Sequence, residues 1–119
     1  MKKVLLGLGL LCSLSANAKD CEKEGSMSAV RACLESQGSE TVDTAYSNLI
    51  NALKNNTEAM AAIKKAQNEW NNFRYSTCDY VATTYKGGRY SDDARTNCLA
   101  EFNEARVKIL KRYAKDASK

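Results

Sequence analysis

The chain is 119 residues long, sets 18 basic against 14 acidic residues, and contains neither histidine nor proline. That length suits one domain with a modest core, and a net charge of +4 without a dense Lys/Arg cluster excludes a nucleic-acid footprint. Without histidine there is no Ser-His or Cys-His nucleophile pair, and the usual zinc and copper ligand is missing.

Met1-Lys2-Lys3 forms a positive start, Val4 to Leu14 is an apolar stretch, and Ala16-Asn17-Ala18 has the small-x-small form of a signal-peptidase site. The apolar stretch is shorter than the ~20 residues of a membrane span. Neither Cys12, after Leu10-Leu11, nor Cys21, after Lys19-Asp20, has the small preceding residue that lipid attachment requires. The expectation is a signal peptide at 1–18 and one mature domain at 19–119, periplasmic or secreted, with no membrane insertion after cleavage. Removing Lys2 and Lys3 leaves 16 basic against 14 acidic residues.

Cys12 would depart with the leader, leaving Cys21, Cys33, Cys78 and Cys98. An even count in a short exported chain reads as two disulfides. Three pairings are possible; sequence neighbours favour Cys21–Cys33 and Cys78–Cys98, each closing a loop that contributes about 3 kcal/mol in the loop-entropy account. A zinc site of four thiolates is the rival, but no C-x2-4-C knuckle exists. Neither a metal nor a cofactor is expected.

A short helix is expected over Ser28 to Ser36, ended by Gly38. Ser39 would cap a second, whose Val42, Tyr46, Leu49, Ile50 and Leu53 lie on one face, before Asn55-Asn56 breaks it. Thr57 would cap the longest helix, with Glu58 in its first turn. Its apolar face steps through Met60, Ile63, Ala66/Gln67, Trp70, Phe73/Arg74, Thr77 and Val81 to about Thr84. After a reversal at Tyr85 to Tyr90, Ser91 would cap a last helix burying Ala94, Cys98, Phe102, Ala105, Ile109 and Tyr113, with Leu99 and Leu110 widening the stripe. The fold expected is all-α: a small disulfide-stapled bundle, built on a long antiparallel helical hairpin against which two shorter helices pack.

The pattern offers little for catalysis. Asp92-Asp93 is the only close acidic pair, and its place in a helix first turn suits the dipole better than glycosidase work. Gly87-Gly88 lacks the strand and the Lys-Ser/Thr of a phosphate loop. The chain is read as a binding protein, not an enzyme. Tyr85, Lys86, Gly87, Gly88, Arg89 and Tyr90 are the candidate partner-binding residues, since Tyr and Arg dominate binding hot spots and a loop on a rigid base loses less entropy on docking. In the segment Gln67 to Cys78, Trp70 is expected to fill the core, with Arg74 snorkelling or paired with an acid from a neighbouring helix.

Cys21…Cys33, Tyr46, Gln67-x-x-Trp70-x-x-Phe73-Arg74-x-x-x-Cys78, Gly87-Gly88, Cys98 and Arg106-x-x-x-Leu110 together resemble the LprI-like lysozyme-inhibitor family of secreted bacterial proteins. The resemblance covers nearly the whole mature chain, with Tyr75 standing where the family often has an acidic or small residue. It implies an all-helical exported domain, with Gln67, Trp70, Phe73, Arg74 and Arg106 as structural motif residues. The implied partner is a protein: lysozyme or another peptidoglycan hydrolase. A cognate exported toxin neutralised by an immunity protein is the alternative, and an envelope interaction module without an enzyme target is a third.

Overall fold

The computed structural model describes residues 20–119. The leader expected at residues 1–18, its cleavage point and Cys12 lie outside the described residues. A single turn of 3-10 helix at Cys21–Lys23 precedes three long helices: α1, Met27–Ala52; α2, Thr57–Thr83; and α3, Arg89–Ala117. No strand occurs among the described residues, so the all-α, disulfide-tied class holds.

The first difference from the expectation is continuity. Gly38 does not end a helix and Ser39 does not begin one, because both lie inside α1. The reason sits on α3. A Cβ at Gly38 would come within 2.5 Å of the Asn103 side-chain nitrogen, so the glycine is a notch for a neighbouring side chain rather than a cap. Three helices therefore replace the four expected, and the single α1 packs where two short helices were placed.

The caps also differ from their expected places. Ser26 caps α1, its hydroxyl accepting from the Ala29 N–H at 3.1 Å. Asn56, not Thr57, caps α2, accepting from the Ala59 N–H at 3.0 Å. Asn is at least as good an N-cap as Thr, and Thr57 then becomes the first helical residue. For α3 the cap position falls on Gly88, and the Ser91 hydroxyl instead donates to the Ala82 carbonyl of α2 at 2.9 Å.

α3 is the middle helix: α1 and α2 each pack mainly on it rather than on one another. Val42, Ala45 and Leu49 of α1 meet Val107 and Leu110 of α3 in a buried apolar cluster, flanked by Tyr46, Leu53, Ile63, Trp70 and Ala114. The buried stripe of α3 runs through Thr96, Leu99, Asn103, Val107 and Leu110. Ala105 and Tyr113, expected inside, are exposed, and Ala94, Cys98, Phe102 and Ile109 are only part-buried. The stripe is rotated because α3 serves two neighbours and turns polar Thr96 and Asn103 inward to meet them.

Two disulfides tie these elements. Cys21–Cys33 fastens the N-terminal turn to α1, and Cys78–Cys98 joins α2 to α3, each with a Cα–Cα distance of 5.5 Å. The α2–α3 hairpin is thus antiparallel and bridged close to its loop, the pairing that sequence neighbours favour.

Candidate functional site

The hairpin loop forms one end of the molecule. In the last turn of α2 the Thr83 and Thr84 hydroxyls donate to the Tyr80 and Val81 carbonyls at 2.6 and 2.7 Å, satisfying acceptors that a helix end leaves free. Lys86, Gly87 and Gly88 then all take positive φ, at 54°, 83° and 80°. Glycine enters that region without steric penalty and lysine does not. Nothing lies within 4 Å of a Cβ built on either glycine, so backbone conformation alone requires them.

All six residues Tyr85, Lys86, Gly87, Gly88, Arg89 and Tyr90 are exposed, Tyr90 at 69%. Tyr80, one turn before the loop, is exposed too. The Arg89 guanidinium sits 5.5 Å over the Tyr90 ring, and neither Lys86 nor Arg89 has an ion-pair partner among the described residues. The tip thus presents aromatic rings and two uncompensated cations, on a base fixed by Cys78–Cys98 and by the Ser91–Ala82 hydrogen bond.

Behind the tip an ionic network braces all three helices. Arg31 of α1 pairs with Asp93 at 3.0 Å and Asp92 at 3.6 Å, and Arg95 of α3 pairs with Asp79 of α2 at 2.9 Å and Glu35 of α1 at 3.3 Å. The Thr96 hydroxyl donates to Glu35 at 3.3 Å. Hydrogen bonding to Asp79, above all, raises the Arg95 pKa. The Asp92-Asp93 carboxylates are therefore engaged with a cation from α1 as well as lying near the start of α3.

The motif residues lie at mid-height, where α1 and α2 both rest on α3. Gln67, Arg74 and Cys78 are the buried residues of α2. Arg74, only 4% exposed, donates to the Asn103 and Asn71 side-chain oxygens, the latter at 3.1 Å. Its guanidinium lies 4.6 Å over the Trp70 ring and 4.5 Å over the Tyr75 ring. Arg106 approaches the same indole at 5.3 Å and donates from Nε to Gln67 at 3.0 Å; burial pushes its pKa down.

Arg74 neither snorkels nor pairs with an acid: no carboxylate reaches Arg74 or Arg106 among the described residues, and aromatic faces and amide oxygens take that place. Phe73 departs from the helix face assigned to it. It is 62% exposed, edge-on to Phe102 at 5.8 Å, because Arg74 occupies the inward position.

Asn103 and Asn71 complete this layer and were not singled out from sequence, while Gly38, read there as a helix end, is the notch that receives Asn103. The one available signal was polar: Asn103 stands seven residues from both Thr96 and Leu110, on a single helical stripe. No group of three or more His, Cys, Asp or Glu residues able to hold a metal occurs among the described residues. No helix there is long and apolar enough to cross a membrane.

The class defined by this geometry is a small three-helix scaffold, tied by two disulfides and presenting one exposed hairpin tip. The family described as lysozyme inhibitor LprI matches residues 15–110, and the chain belongs to that family. No curated protein and no solved structure matches the chain.

Proposed function

We propose that the chain is an exported protein inhibitor of a cell-wall hydrolase, with lysozyme as the first target to test. The family match supports this reading, and the observation that carries it is the tip: exposed tyrosines and two unpaired cations on a base that cannot splay. Glycoside hydrolases work with a pair of carboxylates at the bottom of a substrate cleft. A narrow hairpin tip fits such a cleft, and Lys86 and Arg89 would face its carboxylates while Tyr85 and Tyr90 cover the walls. Inhibition is then by obstruction, without chemistry on either partner, and charge complementarity serves specificity and association rate. The leader expected at residues 1–18 supports an exported protein, acting in the periplasm or outside the cell, where such a target works.

The test is a turbidity assay of lysozyme on cell walls with the purified mature protein. Inhibition at stoichiometric ratios is expected, and the Lys86→Ala/Arg89→Ala double variant should weaken it by about tenfold or more, the scale of a lost hot-spot contact. An unchanged inhibition constant in that variant would remove the loop from the mechanism. Absence of inhibition in large excess would remove lysozyme as the target.

A further inference from the structure

Between α1 and α2, beside the arginine layer, lies a cleft of about 310 Å³ lined by Ser39, Val42, Asp43, Asn71, Asn72, Arg74 and Tyr75. It exists because both helices rest on α3 and stand apart from each other at this height. Its size is at the small end of ligand clefts, which span about 300–1,000 Å³.

Two features of its lining are unusual together. Arg74 is 96% buried, yet its Nε–H has no hydrogen-bond partner, and a buried unmet donor on a charged group is costly. Across the cleft, Asp43 of α1 is exposed and makes no ion pair or hydrogen bond among the described residues. An acid and a base thus line the same small space, each without a charged partner and not paired with one another. Asn71, Asn72 and Ser39 add amide and hydroxyl groups around them. Arg74 already commits single N–H groups to Asn103 and Asn71, so of its five donors Nε and others remain for a further acceptor.

We infer that this cleft binds a small zwitterion, an amino acid or very short peptide, with its carboxylate on the Nε edge of Arg74 and its ammonium on Asp43. A lone anion would leave Asp43 repelling it, and a lone cation would meet Arg74. Only a ligand carrying both charges complements both walls, and the end of a long polypeptide, with one of them, does not. The Tyr75 ring, stacked on Arg74 and 43% exposed, is the wall that gives way to admit the carboxylate. The ligand carboxylate supplies the counter-charge that the protein itself withholds, in the charge-assisted geometry arginine favours.

Trp70 is the only tryptophan in the chain and lies directly against Arg74, so its fluorescence reports on the site. The probes are alanylalanine, its N-acetylated form, its C-amidated form and acetate, titrated into the mature protein by fluorescence and calorimetry. Alanylalanine should bind, with each singly charged analogue weaker by about tenfold, the scale of one charge-assisted contact. Because Arg74 is deeply buried, the decisive variant is Asp43→Asn at the exposed rim, which should abolish the difference between alanylalanine and its acetylated form. No response to alanylalanine at about 10 mM, a Kd weaker than the mM range of the feeblest specific ligands, would overturn the inference. Acetate binding as well as the dipeptide, or an Asp43→Asn variant that still discriminates, would overturn it equally. No hydrolase is present in this experiment, so its failure leaves the inhibitor reading intact, and the failure of that reading leaves this one intact.

Discussion

The Asn103 side chain faces two helices at once: its oxygen accepts from Arg74 of α2, and its nitrogen lies where a Cβ of residue 38 in α1 would be. Asn103→Ala leaves the Arg74 guanidinium short of an acceptor inside the protein. Loss of a hydrogen bond to a buried charged group should cost about 2–3 kcal/mol, read by urea unfolding. Gly38→Ala offers a sharper test, because two effects of opposite sign meet there. Alanine gains about 1 kcal/mol of helix propensity over glycine, but here its methyl drives into Asn103, and overpacking of this kind costs about 1–3 kcal/mol. The single variant should be destabilised or at best neutral. In an Asn103→Ala background the collision is gone, and the same substitution should stabilise by about 1 kcal/mol. A double-mutant cycle showing no coupling would mean the two residues do not constrain each other.

At the level of helices, the disulfide positions and the α2–α3 hairpin were legible because they rest on local signals: thiols near in sequence and a glycine pair. Reading Gly38 as a terminator failed because its meaning depends on Asn103, 65 residues away, and nothing local distinguishes a cap from a notch. The inward face of α3 was misjudged for a related reason. Apolar periodicity pointed to Ala94, Cys98, Phe102, Ala105, Ile109 and Tyr113, whereas a helix between two neighbours buries a polar-centred stripe when one of them brings an arginine. Of the candidate sites, the tip was visible from its composition, but the Asp43–Arg74 cleft was not, since it spans two helices that no local pattern brings together. The Cys78–Cys98 bridge closes a loop of 20 residues. Replacing both cysteines with alanine should lower stability by about 3 kcal/mol by the loop-entropy account, measured as a shift in the urea midpoint. On the proposed inhibitor reading it should also weaken inhibition, since the base of the tip would then be held by the Ser91–Ala82 hydrogen bond and packing alone.

Over the whole molecule, the stabilising interactions are divided by height. The apolar cluster of Val42, Ala45, Leu49, Val107 and Leu110 lies away from the hairpin loop, arginine and amides fill the middle, and ion pairs between helices brace the end that carries the tip. Partly exposed pairs of this kind contribute little each, so covalent closure near the loop matters more to the tip than the charges around it. That closure has a further consequence. Lys86 and Arg89 are both exposed and lie between Cys78 and Cys98, so a trypsin-like protease would cut the chain inside the bridged segment. The severed halves would stay joined through sulfur, migrating as one species on a non-reducing gel and as two after thiol treatment. A chain built this way can be clipped at its exposed tip and remain one molecule, with both new ends still tethered beside the disulfide.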